Sequence, residues 1–338
     1  MKVYAGIDLH SNNSVALVLD EQDRVLVERR VPNDLERVLS LLEPYRDDVV
    51  GVVVESTYNW YWLVDGLMQA GYRVHLANTA AIQQYEGLKR TDDAHDARWL
   101  AHLLRLGILP VGYIYPKAER ALRDLLRKRS QLVRQRTANV LSVQNLVARN
   151  TGARISGNAV KRLDAEEAVK LDVDALRGQA IEANVVVMNC LEEQIARIER
   201  EVLSQAKEQP EFALVCTTPG IGKVLGLTIV LETGAVSRFA KVGRFASYAR
   251  CVDSERISNG KKKGVGNVKC GNRYLAWAFV EAAHFAVRYE PRIKRFYEKK
   301  RAKTNAVVAI KAVAHKLARA VYHMLRNQEG FDVTRAFG

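Results

Sequence analysis

Apolar positions alternate along residues 2–8, where Val3, Ala5 and Ile7 are set against Tyr4 and Gly6, and this period of two predicts a β-strand. Val15–Leu19 and Arg24–Val31 continue the pattern as two more strands, joined by the turn-like Asp20-Glu21-Gln22-Asp23. Leu35–Tyr45 changes to helical spacing, with Asn33 or Asp34 as its cap. Val49–Val54 is an unbroken β-branched run, as a buried central strand requires. A helix over Tyr58–Ala70, a turn at Gly71, a strand over Tyr72–Leu76 and a helix over Asp93–Leu106 complete the first part. Three hairpin-linked strands followed by alternating helices and strands predict a ribonuclease-H-like (RuvC-like) α/β domain over residues 1–112.

Beyond it the spacing is helical. Leu122, Leu125, Leu126, Leu132, Val133, Val140, Leu141 and Val147 recur near helix spacing among Arg and Lys, and Val185, Met188, Leu191, Ile195, Ile198 and Val202 do the same. Residues 113–208 therefore read as a helical region with two long helices. These form either an antiparallel coiled-coil arm or a two-helix insertion packed on the core. Residues 150–180 between them carry little signal. Residues 209–338 read as a mainly helical domain: Pro219-Gly220-Ile221-Gly222-Lys223 resembles the hairpin of a helix-hairpin-helix, and helical spacing returns over Tyr274–Val287 and Val307–Leu325. The Gly- and Lys-rich stretch 259–273 reads as irregular.

Charge sharpens this division. The chain of 338 residues carries a formal net charge of +14. Residues 1–110 hold 11 basic and 16 acidic side chains, 111–210 hold 17 and 13, and 211–338 hold 24 and 9. The excess sits in the last third, which suits a polyphosphate partner. A basic membrane-surface patch usually comes with an amphipathic anchor or lipidation signal, and neither is evident. No run of about 18 apolar residues exists to span a membrane, and Asp8 arrives too early for a signal peptide. Cys190, Cys216, Cys251 and Cys270 are spaced for neither zinc nor a disulfide framework, so a reducing cytoplasm is expected.

Four carboxylates stand at chemically telling places. Asp8 ends the first strand and Glu55 ends the buried one, and in a ribonuclease-H-like sheet those strands are neighbours. Asp93 and Asp96, three apart, share one face of a helix. Asp92 competes with Asp93 as the third ligand. Any one of these alone is an ordinary turn or cap residue; the four in this order form a metal-binding set. Clustered carboxylates repel unless a cation neutralises them, and oxygen ligands select Mg²⁺ or Mn²⁺. The Gly-Ile-Asp opening also fits an actin-like ATPase sheet, but no second glycine-rich phosphate loop follows and Asp93 and Asp96 would go unexplained.

In the basic part, the glycines of Pro219–Lys223 let backbone N–H groups approach a phosphate at a helix N-terminus. Two serines, Ser254 and Ser258, precede Lys261-Lys262-Lys263 in a Gly-punctuated loop. A serine nucleophile needs activation, and lysines beside it hold the scissile phosphate. Gly220, Gly222, Lys223, Lys261, Lys262, Lys263, Lys269 and Arg273 are the expected nucleic-acid contacts.

With those residues assembled, the chain resembles the DEDD-type insertion-sequence transposases related to pilin-gene invertases, a family guided by a bridge RNA. The resemblance is carried by Gly6-Ile7-Asp8, Val54-Glu55-Ser56-Thr57, Thr91-Asp92-Asp93-Ala94-His95-Asp96-Ala97-Arg98, Pro219-Gly220-Ile221-Gly222, and Ser258-Asn259-Gly260 through Gly271-Asn272-Arg273-Tyr274-Leu275. It implies Asp8, Glu55, Asp93 and Asp96 as the metal tetrad and Ser258 as a nucleophile that links covalently to DNA. It implies donor and target DNA, a structured bridge RNA and a homo-oligomer, dimeric or tetrameric in the synaptic complex, as partners. Many relatives have serine directly before glycine, whereas Asn259 intervenes here, which keeps Ser254 as a second candidate. Two other functions fit the same features: a Holliday-junction resolvase that uses metal-activated water, and a non-catalytic nucleic-acid-binding protein.

Overall fold

The computed structural model describes residues 1–82, 93–206, 209–253, 255–265 and 270–338. It divides into two units, Met1–Lys117 and Ala118–Gly338. The first holds 12 basic and 16 acidic side chains, the second 40 and 22.

The first unit is built on a five-stranded mixed sheet. β1 (Val3–Leu9), β2 (Asn13–Asp20) and β3 (Val25–Pro32) form an antiparallel meander, and α1 (Leu35–Leu42) leads into β4 (Val49–Glu55), α2 (Tyr61–Gln69) and β5 (Val74–Ala77). The strand order is β3-β2-β1-β4-β5, with β4 parallel to both β1 and β5. This is the order of a ribonuclease-H-like sheet, with the first and fourth strands as neighbours. Asp34 rather than Asn33 caps α1, accepting from the N–H groups of Glu36 and Arg37 at 2.8 and 3.3 Å.

Strand alternation sorts the two faces. Val3, Ala5, Ile7, Leu9, Val52 and Val54 pack with Val38 and Leu42 of α1 and Leu63, Val64 and Leu67 of α2. Val15, Leu17 and Leu19 face the other way, against Ala97 and Ala101 of α3 (Asp93–Arg105). Gly6 lies on this second face. A Cβ there would sit 2.0 Å from the Ala97 carbonyl oxygen, so α3 rests directly on the β1 backbone.

The second unit starts with α4 (Lys117–Thr151). After the short α5 (Gly157–Val160) and α6 (Ala165–Val169), α7 (Ala175–Ala206) returns antiparallel to it. Val140, Val143 and Val147 pack with Ile181, Val185 and Met188; further along, Leu126 packs with Ile198 and Val202. Arg129 pairs with Glu199 and Arg136 with Glu192 across the same seam. Residues 150–180, unreadable from sequence, hold the two short helices and the first turn of α7.

The rest of the unit is helical around one core. α8 (Pro210–Val215) and α9 (Lys223–Thr233) flank a tight turn, followed by α10 (Val242–Tyr248). A two-stranded ribbon, β6 (Arg256–Ser258) and β7 (Lys261–Gly264), projects next. α11 (Arg273–Tyr289), α12 (Pro291–Lys303), α13 (Ala306–Asn327) and α14 (Val333–Phe337) complete it. The ribbon corrects the reading of 259–273 as irregular throughout. Asn259 and Gly260 have φ of 50° and 68°, as the two central residues of a type I′ hairpin turn require, and this turn matches the twist of the flanking strands.

Candidate metal and nucleophile sites

β1 and β4 bring the first two carboxylates together. Ile7 is paired with Val54, so the next residues, Asp8 and Glu55, leave neighbouring strands side by side. Both continue the face on which α3 lies, Asp8 two residues past Gly6 and Glu55 two past Val53. Asp93 and Asp96 fall in the first turn of that helix. The close approach permitted by Gly6 is therefore what sets α3 against the strand ends.

Electrostatics reflects the crowding. Burial, a hydrogen bond with Asp8 and the negative charges of Asp8 and Asp96 together push the Glu55 carboxyl up to about 8. The charged form of Glu55 is thus disfavoured beside Asp8, whose residue is only 3% exposed. Asp93 is held below the usual carboxylate range chiefly by its hydrogen bond from Arg30, despite some burial, with the His10 ring adding to the effect.

His10, two residues past Asp8, went unnoticed in the sequence. Its Nε2 lies 3.2 Å from a carboxylate oxygen of Asp8 and 3.2 Å from one of Asp93. That nitrogen is itself buried, between the two carboxylates. Asp8, His10 and Asp93 each offer a ligand atom, all within 4.8 Å of one another. The His10 backbone is fixed as well, its carbonyl accepting from Asn33 Nδ2 at 2.9 Å and Asn59 Nδ2 at 2.8 Å. A buried imidazole nitrogen between two carboxylates, beside a third hydrogen-bonded to one of them, is a donor set that fits a divalent cation. The imidazole widens the donor set beyond oxygen alone, so the ligands no longer single out the hardest cations. His10 lies just past the end of β1, where a lone histidine carries no periodic signal. Asp92 lies outside the described residues.

The serine region belongs to the second unit. Ser258 is the last residue of β6 and is paired directly with Lys261. Directly opposed residues share a face of the ribbon, so Lys261 lies on the Ser258 side, while Lys263 is the extra residue where the register shifts. Lys262 faces the other way and is engaged with Glu255 at 2.7 Å. Of the three lysines, Lys261 is the one paired opposite the serine. Ser254 and Lys269 lie outside the described residues.

The neck of this arm is closely held. Arg250 donates from Nε at 3.0 Å and from its terminal nitrogen at 2.8 Å to the Gly271 carbonyl. Asn272 N–H donates to the Tyr248 carbonyl at 2.6 Å. The Asn272 side chain caps α11, accepting from Tyr274 and Leu275 N–H. Its amide donates to the buried Glu232 at 2.7 Å, and Arg127 grips both oxygens of Glu232 at 2.6 and 2.7 Å. Arg273, the first residue of α11, donates to Tyr274 Oη at 3.1 Å.

The glycines of the α8–α9 turn have different reasons to be there. Gly220 has φ of 84°, and a Cβ would meet Ala282 O at 2.3 Å and Ala286 N at 2.5 Å of α11. Its need for glycine is explained by packing. Gly222 caps α9 with open space where a Cβ would be, and Lys223 beside it is exposed, so this part of the turn has room for an approaching backbone.

Comparison with known proteins now bears on these features. A DEDD model of the IS110 type, described as Transposase, matches residues 5–149, and the model described as Transposase IS116/IS110/IS902 family matches residues 213–298. Similar proteins include the insertion element IS116 uncharacterized 44.8 kDa protein of Streptomyces clavuligerus, 23% identical over 98% of this chain and 96% of that one. The transposase for insertion sequence element IS1111A of Coxiella burnetii is 22% identical over 96% of this chain and 90% of its own length. A probable family 20 transposase of Pseudomonas aeruginosa is 25% identical over 68% of each. The class is that of the transposases, enzymes that cut and rejoin DNA. Within it, the chain belongs to the DEDD-type insertion-sequence transposases of the IS110 family. That family suggests use of a divalent metal, in keeping with the Asp8–His10–Asp93 group. No helix among the described residues is long and apolar enough to cross a membrane.

Proposed function

We propose that this transposase cuts and rejoins DNA through a covalent phosphoserine intermediate on Ser258, with Asp8, Glu55, Asp93 and Asp96, and His10 beside them, holding Mg²⁺ or Mn²⁺. The observation that supports the reading is the convergence of two carboxylates, Asp8 and Asp93, on the buried His10 Nε2, with Glu55 hydrogen-bonded to Asp8. A bound divalent ion would supply charge neutralisation and orientation for phosphoryl transfer. Residues 1–112 would be the metal domain, 113–208 the helical region for self-association, and 209–338 the serine domain.

The chain's own residues would then act as follows. Lys261, opposite Ser258 on the ribbon, holds the scissile phosphate, with Lys263 nearby in the chain. Attack forms a bond from Ser258 Oγ to phosphorus and breaks one phosphorus–oxygen bond of the DNA backbone. The serine proton ends on the departing deoxyribose oxygen. A hydroxyl of the new strand reverses the step and frees the serine. One phosphoester replaces another at each stage, so no external energy source is needed. Lys223 with the Gly222 backbone, Arg273 and Lys269 would contact further phosphates. A bridge RNA would choose the donor and target DNA by pairing; support for it comes from the family resemblance.

The test is a denaturing gel after incubation with element-derived RNA, element DNA and Mg²⁺ or Mn²⁺. A protein–DNA adduct that disappears in Ser258→Ala and in Asp8→Asn is the expected result. Free cleaved DNA that is unchanged in Ser258→Ala would replace this reading with a nuclease that uses water.

A further inference from the structure

A second feature of the Ala118–Gly338 unit shares only Arg273 with that reading. Between α4 and α11 lies a cleft of about 370 Å³ lined by Arg129, Val133, Arg134, Arg273, Tyr274 and Trp277. It is rich in cations, and no carboxylate lines it. Arg129 is engaged with Glu199 across the helical seam. Arg134 and Arg273 are exposed and lie on different walls.

The two aromatic rings differ in what they already hold. The Tyr274 ring has the Arg127 guanidinium 4.8 Å from its centroid and that of Arg273 at 5.0 Å. Trp277 makes no ring contact among the described residues, and it is 39% exposed. Arg273 and Trp277 are four apart on α11, which puts them on one helix face. A lone exposed Trp is ordinary. A Trp face free for stacking, in a concavity with two arginines and no acid, is a specific combination. It offers a flat apolar platform for a ring and two cations for the phosphate attached to it.

We propose that this cleft binds one unpaired nucleotide, its base stacked on Trp277 and its phosphates held by Arg134 and Arg273. Duplex bases are stacked on each other and present no free face, so the ligand is a single strand or an extruded base. DNA and RNA strands share this chemistry, and the experiment separates them. Neither Ser258 nor a metal takes part, so the proposal stands or falls independently of the phosphoserine reading.

The test uses the full chain in EDTA and fluorescence anisotropy with three labelled probes: an oligodeoxythymidine, an oligouridine and a DNA duplex. Trp277→Ala should weaken single-strand binding about 5- to 150-fold, the range for losing one base–aromatic stack, and leave duplex binding almost unchanged. Trp277→Phe should restore most of the loss. Arg134→Gln should weaken binding and flatten its salt dependence. Whichever oligomer shows the loss identifies the strand. Wild-type protein should also photo-cross-link at Trp277 to oligomers carrying 5-iododeoxyuridine or 5-iodouridine. Wild-type affinity in Trp277→Ala, an equal loss on duplex and single strands, a change of oligomeric state in Trp277→Ala with binding preserved, or cross-links that avoid the cleft would each overturn the proposal.

Discussion

The Arg127–Glu232 pair makes a quantitative prediction. Glu232 is 3% exposed and takes two hydrogen bonds from Arg127 and a third from Asn272. Arg127→Met keeps most of the side-chain volume and removes the charge, leaving a buried carboxylate with one amide donor. Removing one partner of a buried pair costs about 3–5 kcal/mol. The Arg127 side chain is 31% exposed, so water relieves part of this and the low end, ~3 kcal/mol, applies. For a unit of this size each kcal/mol lowers Tm by about 2–4 °C, so the Ala118–Gly338 transition should fall by roughly 6–12 °C. Calorimetry with the two transitions resolved is the assay, and that of Met1–Lys117 should not move. The double variant Arg127→Met/Glu232→Leu should recover much of the loss, because no charge is then stranded. A loss below about 1 kcal/mol, the worth of a surface pair, or no recovery in the double variant would refute the reasoning.

Other consequences concern the first unit and the serine arm. Because the folded Glu55 carboxyl titrates near 8 and an unfolded one near 4.5, the folded state binds the extra proton, so stability in EDTA should decline as pH rises from about 4.5 to 8. Glu55→Gln should flatten that slope in a thermal melt, and added Mg²⁺ or Mn²⁺ should stabilise wild type most above pH 8, where no proton competes. Gly6→Ala forces a methyl into the Ala97 carbonyl; it should displace α3 and abolish metal-induced stabilisation of the unit, read by the same melts. Asn259→Ala places alanine at positive φ at a cost of roughly 1–2 kcal/mol, confined to an exposed ribbon. Adduct formation should fall severalfold with Tm almost unchanged, and Asn259→Gly should retain activity.

Much of the first unit could be read from sequence because its signals are strong and local. A hairpin-linked amphipathic meander and one unbroken β-branched run leave few ways to order five strands. The acidic residues were visible because they end those strands or share a helical turn. His10 was not, since a single histidine after a strand carries no pattern until its neighbours in space are known. The Asn259-Gly260 ribbon did have a signal, but the lysines around it suggested a solvated loop. α12 was missed because only Ile293, Phe296 and Tyr297 mark its inner side among seven Lys and Arg, and only Ile293 is fully buried. The Arg127–Glu232–Asn272 network joins residues more than a hundred positions apart, and no sequence period reports such a contact.

The clamped neck of the serine arm has an evolutionary consequence. Gly271 has φ of 91°, a Cβ there would strike the Tyr248 carbonyl at 2.5 Å, and Arg250 holds its carbonyl. With both ends of the arm fixed to the helical core, changes in the length between them are inexpensive, since doubling a flexible loop costs only about 0.6 kcal/mol in closure entropy. The segment is in effect an exchangeable cassette. Insertions, deletions and new turn sequences can be sampled within it while the fold that carries it stays the same.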